Sequence, residues 1–383
     1  MADDDIAIVG IGQTKPTRRA DRDIRALSIE AVKLALDDAG IAPSEVDGII
    51  SDGVIMPGTV PREYLAAQFG ITRRFDGGMS YGGTGIACAP MLARMALRAG
   101  LADVIVFYFG VDWGSRAEGP YGFHNMYPAK MAFEKPQGFN GQPSYFALWA
   151  QRYMHEYGLT EADLGAIATT QRASALRNGG GQVQKALSMD DYYASRMISD
   201  PLRAADCCLI SDGAVAFVMT RMDRARDCRK KPIKVMGCGY ASESLSGDDI
   251  FTQKPAQLTM PGAKEACGRA LREAGIGLDA VNFAEIYDCF TISCLMQIED
   301  LGFCKKGEAG AFVREQGTGI DGKLPVNTHG GLLSHSYLLG AEHVVEAVRQ
   351  LRGEAGDAQL KKAEIGMVTG LSVPDYGVLL LGR

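Results

Sequence analysis

The chain has 383 residues, 46% of them hydrophobic and 22% charged, with a formal net charge of −6. That length suits two domains of roughly 150 residues or more, with enough apolar side chain for a substantial core. An acidic balance (pI near 5.5) without a basic run excludes a nucleic-acid surface, and the longest apolar stretch, around residues 104–111, is far short of the ~20 residues a membrane span needs.

The chain opens Met1-Ala2-Asp3-Asp4-Asp5, acidic where a secretory leader would be basic, which makes the cytoplasm the expected compartment. Residues 6–9 read as a buried strand, with Gly10-Ile11-Gly12 as its closing turn. Residues 28–39 carry Ile29, Val32, Leu34, Leu36 and Ala39 at near-helical spacing, and Gly40 is placed to end that helix in a left-handed cap. Gly82-Gly83-Thr84-Gly85 precedes a predicted helix over 86–99 and a strand over 102–106. Between Trp113 and Trp149 the sequence is rich in aromatic and Met residues: Tyr121, Phe123, Met126, Tyr127, Met131, Phe133, Phe139, Tyr145 and Phe146. An apolar strand over 214–219 is followed by a basic stretch, 221–231, which reads as a linker before Pro232.

The second half repeats this plan. Residues 233–236 form a strand followed by Gly237-Cys238-Gly239, and Leu271-Arg272-Glu273-Ala274-Gly275-Ile276 echoes Leu36-Asp37-Asp38-Ala39-Gly40-Ile41 at an offset of 235 residues. Val46 and Val281 keep the same offset, and a closing apolar strand at 378–381 matches that at 214–219. Ordered matches of strand, helix, cap and closing strand indicate a duplicated α/β unit. Alternating strands and helices imply parallel sheets covered by helices, with a site where the halves meet at the strand carboxyl ends. The nine cysteines (Cys88, Cys207, Cys208, Cys228, Cys238, Cys267, Cys289, Cys294, Cys304) contain no CxxC pair. Neither a structural zinc site nor a disulfide framework is expected, and most should be small buried apolar residues.

Five segments carry a resemblance to a known family. They are Ser80-Tyr81-Gly82-Gly83-Thr84-Gly85, Arg152 to Gly158, the blocks from Ser195 to Ala214, Glu285-Ile286-Tyr287-Asp288-Cys289-Phe290, and Asn327-Thr328-His329-Gly330-Gly331-Leu332-Leu333-Ser334 leading to Gly340. In this order they resemble the thiolase superfamily, especially its sterol-carrier-protein-like branch, over almost the whole chain. The resemblance implies a duplicated α/β thiolase fold, two mixed sheets with a shared helical layer (αβαβα). Its halves would be 1–222, including a loop region at about 113–200, and 231–383.

Thiolases place a nucleophilic cysteine at a helix N-terminus, where the dipole lowers its pKa and backbone N–H groups bind an oxyanion. Here Gly82 stands at that position, and Cys88 lies six residues on, inside the helix. The family's glycine-histidine-proline histidine is replaced by Tyr337, with His335 two positions earlier. Its polar Asn or His before the acidic residue becomes Tyr287, beside Asp288, and its C-terminal cysteine is missing from Met367 to Pro374. Four chemical positions thus depart together, and two of them gain tyrosines.

Without the cysteine, acyl transfer lacks its covalent route. What remains is an oxyanion frame (Gly82, Gly83, and the turn of His329, Gly330 and Gly331) plus two phenols. That set suits retro-aldol cleavage of a β-hydroxyacyl-CoA, with Tyr287 and Tyr337 as acid and base in an order the sequence leaves open. An unperturbed phenol at pH 7 costs about 4 kcal/mol to ionise, so a tyrosine base needs help, for which His329, His335 and His124 are candidates. The resemblance is strongest to thiolase-like aldolases of bacterial steroid side-chain degradation. It implies a 17-hydroxy steroid with a short CoA side chain as substrate, cleaved to a 17-keto steroid and propionyl-CoA. It also implies a homodimer joined by a small OB-fold, zinc-ribbon partner, or the matching domain of a hydratase, in a heterotetramer. No metal and no cofactor beyond the CoA of the substrate are expected in this chain. Two readings compete: a thiolase or acyltransferase with its nucleophile moved to Cys88 or Cys289, and a non-catalytic sterol or acyl-CoA carrier.

Overall fold

The computed structural model describes residues 5–51, 60–79, 82–117, 119, 128, 130–139, 141–243, 258–372 and 374–383. Its strands are β1 (Ile6–Gln13), β2 (Gly48–Ser51), β3 (Phe75–Gly77), β4 (Val104–Asp112), β5 (Met197–Ser199), β6 (Leu202–Arg203), β7 (Asp212–Arg221), β8 (Ile233–Ser242), β9 (Phe283–Glu285), β10 (Ile365–Ser372) and β11 (Asp375–Gly382). Its α-helices are α1 (Ile24–Ala39), α2 (Arg62–Phe69), α3 (Gly82–Arg98), α4 (Gln142–Tyr157), α5 (Glu161–Asn178), α6 (Met189–Ala194), α7 (Met222–Ala225), α8 (Ala263–Ala274), α9 (Thr291–Asp300), α10 (Ala309–Gln316), α11 (Gly331–Ser334) and α12 (Ala341–Arg352). None of them is long and apolar enough to cross a membrane.

Nine strands line up in the order β3-β2-β4-β7-β1-β8-β11-β10-β9. Read outward from the centre, the two halves run alike: β1, β7, β4, β2, β3 on one side and β8, β11, β10, β9 on the other. The halves join through two residue pairs, Ala7 with Lys234 and Ile8 with Ile233. The two expected mixed halves are thus present as one continuous nine-stranded sheet, joined along this short seam, and β5 and β6 form a separate two-stranded sheet. Helix α1 packs on β1, β7 and β4, and α8 on β8 and β11. Helices α3 and α12 touch strands of both halves, forming the shared helical layer.

The strand–helix alternation predicts parallel pairing, and β2 with β3, β2 with β4, and β9 with β10 are parallel. The central pairs are antiparallel instead. Between β10 and β11 the reason is local: only residues 373–374 separate them, too few for a parallel crossover.

The matched Gly-x-Gly motifs are not the turns the sequence suggests; both lie inside strands. A Cβ at Gly10 would fall 2.1 Å from the Ala35 carbonyl oxygen, and one at Gly12 2.1 Å from that of Ala31. In the second half Gly237 would meet the Ala270 oxygen at 2.2 Å and Gly239 the Ala266 oxygen at 1.8 Å. Missing side chains in the strand let the outer helix lie directly on it, in both halves. Helix α1 also begins earlier than predicted, because the Asp23 carboxylate accepts from the Ala26 N–H (2.8 Å) and caps it. Gly40 and Gly275 close α1 and α8 at φ 72° and 68°, as the sequence predicts.

Candidate active site

Tyr287 follows the carboxyl end of β9, and its peptide is clamped on both sides. Its N–H donates to Thr369 Oγ1 of β10 (2.9 Å), and its C=O accepts from Gln297 Nε2 of α9 (2.6 Å). Thr369 Oγ1 donates to Gln297 Oε1 (3.0 Å), which closes the ring, and the Tyr376 hydroxyl donates to the same oxygen (2.6 Å). Tyr337 comes from the segment after α11, its N–H held by Ser211 Oγ at 2.9 Å. From fifty residues apart in sequence, the two phenols meet with their hydroxyl oxygens 3.0 Å apart.

The N-terminus of α3 lies against this pair. A Cβ at Gly83 would fall 2.3 Å from Tyr287 Cε2, and one at Gly340 3.2 Å from Tyr287 Cδ2, so the ring is seated between two backbone surfaces. Gly82 has φ +59°, with Ser372 Oγ 2.8 Å from its would-be Cβ, and Ser372 Oγ accepts from the Thr84 N–H (3.0 Å). The Gly82-Gly83-Thr84-Gly85 segment, placed by the sequence before the helix, is thus the first turn of α3 itself. Trp113 covers Tyr337, ring centroids 4.7 Å apart, and Phe146 stacks on Phe290 at 4.4 Å. Tyr287 is 4% exposed while Tyr337 is half-buried, so Tyr337 is the more accessible of the two phenols.

Burial pushes both phenols well above their ordinary pKa; for Tyr337 the bond to Tyr287 opposes the rise. Both are therefore neutral at pH 7. The cysteines are no better as nucleophiles. Cys289 is pushed up to about 12 by burial, and Cys88, 0% exposed with Sγ 3.9 Å from the Gly239 carbonyl, still higher.

Asp288, His329 and Gly331 belong to a polar layer behind the tyrosines. The Asp288 carboxylate accepts from Leu332 N (2.9 Å) and Leu333 N (3.3 Å), and a Cβ at Gly331 would strike Asp288 Oδ2. The His329-Gly330-Gly331 turn thus holds Asp288 with the N–H groups that follow it. His335 bonds Ser336 Oγ through Nδ1 (2.8 Å), and burial holds its pKa well below the usual value. His329 is likewise lowered by burial, to about 3, whereas His343 is raised by Asp288, Glu342 and Glu285 against the effect of burial. Glu285 and Glu342 are each pushed up to about 7 by burial. Thr328 Oγ1 lies 2.8 Å from both Glu285 Oε1 and Glu346 Oε1, linking the two carboxylates through one hydroxyl. His124, and Tyr121, Phe123, Met126 and Tyr127 of the aromatic stretch, lie outside the described residues, as do Ser80 and Tyr81.

The sequence gives no site role to Trp113, Ser211, Gln297, Thr369 or the buried group Glu285, Glu342, His343 and Glu346. A signal existed for the last three: Glu342, Glu346 and Gln350 recur every four residues along α12, with His343 beside the first.

The model of the Thiolase C-terminal domain-like family matches residues 246–376. A steroid side-chain-cleaving aldolase of Thermomonospora curvata is 34% identical, covering 98% of this chain and 97% of its own. A 17-hydroxy-3-oxo-4-pregnene-20-carboxyl-CoA lyase of Mycobacterium tuberculosis is 35% identical, covering 98% of both. Among solved structures, the Ltp2-ChsH2(DUF35) aldolase superposes with a TM-score of 0.92 at 31% identity, covering 100% of this chain and 99% of the other.

Proposed function

The chain belongs to the thiolase superfamily, and we propose that it is a carbon–carbon lyase cleaving a β-hydroxyacyl-CoA by a retro-aldol step. The substrate is a 17-hydroxy steroid with a short CoA-thioester side chain, and the products are a 17-keto steroid and propionyl-CoA. The aldolase and lyase similar to it over nearly full length support the substrate class. The single structural observation that carries the chemistry is the 3.0 Å contact between the Tyr287 and Tyr337 hydroxyls beside the N-terminus of α3.

The contact removes the energetic objection to a tyrosine base. The substrate hydroxyl passes its proton to Tyr337, Tyr337 passes its own to Tyr287, and Tyr287 delivers its own to Cα. Meanwhile the Cα–Cβ electrons move onto the thioester as an enolate, and the carbinol carbon becomes the ketone. Each phenol gains one proton and loses one, so neither must persist as a phenolate in a site that disfavours it. Enolate charge builds next to the α3 N-terminus, where the helix dipole and first-turn backbone stabilise it. Tyr337 comes first in the relay because it is the more accessible phenol. The step needs no cofactor from this chain.

The Ltp2-ChsH2(DUF35) aldolase supports assembly with a DUF35 partner. We take that partner to be a small OB-fold, zinc-ribbon protein or the matching domain of a hydratase, joined to a homodimer of this chain in a heterotetramer. Cleavage is followed by mass spectrometry of the ketone released from the steroid thioester. Tyr287→Phe and Tyr337→Phe should each slow it about 10²–10⁴-fold while the circular dichroism spectrum is kept. Unchanged turnover by the double variant overturns the reading, as does an acyl group trapped on Cys88 or Cys289.

A further inference from the structure

Behind Tyr287, outside the relay, four carboxylates are buried together: Glu285, Asp288, Glu342 and Glu346 are each 0–1% exposed. Among the described residues no lysine or arginine forms an ion pair with any of them; their ionic contacts are to His329 and His343. Three of them share a pattern. One oxygen is satisfied: Glu285 Oε1 by Thr328, Glu342 Oε1 by the Leu338 N–H (2.7 Å), Glu346 Oε1 by Gln350 Nε2 (2.9 Å). The other, Oε2 in every case, has no hydrogen-bond partner within the chain. His329 Nδ1 likewise has no hydrogen-bond partner within the chain. Burying negative charge and bare acceptors is costly unless a cation offsets them.

The geometry points to a divalent cation site: we infer that Glu285, His329 and His343 bind a zinc-class ion in the core of the second half. One ligand atom from each of the three lies within 4.8 Å of the others. Glu285 Oε2 is 3.0 Å from His329 Nδ1, out of line for a hydrogen bond, and 4.0 Å from His343 Nδ1. Ligands ~2.0–2.2 Å from a tetrahedral ion stand a little over 3 Å apart, so small side-chain shifts close the set. Two imidazoles and one carboxylate are the donors that select zinc and its first-row neighbours over magnesium or calcium. Supports outside the ligands are in place: Thr328 holds the far oxygen of Glu285, and Asp288 Oδ1 stands 3.4 Å from His343 Nε2, the nitrogen turned away from Glu285. The ion would tie the end of β9 to the 327–331 turn and to α12. A Cβ at Gly340 would touch both the Tyr287 and His343 rings, so this anchor lies one backbone thickness from the phenol.

No spacing motif announces the site, since its ligands span residues 285 to 343 on three separate elements, and the sequence accordingly predicts no metal. The competing arrangement is metal-free, with His329 Nε2 and His343 Nδ1, 3.4 Å apart, sharing a proton. The test uses the full chain expressed without its zinc-bearing partner, in medium supplemented with zinc or with cobalt, so that the ion is present during folding. About one metal per chain is expected after gel filtration, with the visible absorption of tetrahedral cobalt. His329→Gln and His343→Gln should each remove the metal and the absorption. The cobalt spectrum of the unaltered chain decides the matter even if those variants fail to fold. Metal well below one per chain together with a featureless cobalt spectrum overturns the inference; so does metal retained by the folded double variant.

Discussion

Replacing Cys88 by Ala should leave the cleavage rate within about twofold, and native protein should resist alkylation at that thiol. The reason lies in where the side chain sits: inside α3, fully buried, with its pKa raised by burial rather than lowered by a helix end. Loss of one sulfur atom from the core should cost roughly 1 kcal/mol of stability, read from a urea melt. A tenfold fall in turnover would return the relocated nucleophile to consideration. At this scale the sequence was informative where chemistry had been exchanged: two tyrosines replaced polar family residues, and the chain brings them to 3.0 Å. Residues that position them were not legible. Gln297 and Trp113 acquire meaning only when α9 and the end of β4 are folded against the pair.

Among elements, the strands with paired glycines make the sharpest prediction. Gly239→Ala puts a methyl 1.8 Å from the Ala266 carbonyl oxygen, a rigid backbone atom, so β8 and α8 must separate. The cost should be about 3 kcal/mol, the upper end for overpacking, and Gly12→Ala should cost a similar amount at the matched place in the first half. Chemical denaturation of both variants checks it; a cost below about 1 kcal/mol in either would refute the close-approach account. Glycine after an apolar run reads as a turn, which is why the sequence misplaced these positions, yet glycine inside a strand also marks close approach of another backbone. Gln297 makes the second case. Gln297→Leu strips partners from Thr369, from the Tyr376 hydroxyl and from the Tyr287 carbonyl, all buried. The variant should lose about 2–4 kcal/mol of stability. Because it frees the Tyr287 peptide, kcat should fall about tenfold with KM little changed. Equal kcat at a temperature where the variant is folded would reduce Gln297 to a structural role.

For the molecule as a whole, the duplication is visible in the sequence but the way its copies join is not. Matching helices and caps at an offset of 235 identify two units without saying which strand of each lies at the centre. The structure joins them by a short β1–β8 seam, a helix and an arginine. Helix α3, encoded in the first half, packs on β10, β11 and β8 of the second. Arg352 of α12 reaches back across the seam, Nη1 to Asp38 Oδ2 (2.6 Å), Nη2 to the Val9 carbonyl (2.8 Å) and Nε to the Lys231 carbonyl (3.0 Å). Its side chain is 1% exposed, and its charge is compensated by Asp38 and, at 3.9 Å, by Glu354 Oε2. Neither half can bury its inner face alone: removing the first half uncovers the apolar surface of β10 and β11 that α3 covers. Unfolding should therefore be one cooperative transition, with circular dichroism and tryptophan fluorescence coincident, Trp113 and Trp149 reporting the first half. Arg352→Ala should lower the stability of both halves together by about 3–5 kcal/mol, the usual consequence of removing one partner from a buried ionic contact. Two separated transitions, or a folded fragment of residues 231–383 expressed alone, would show instead that the duplicated units are independent domains.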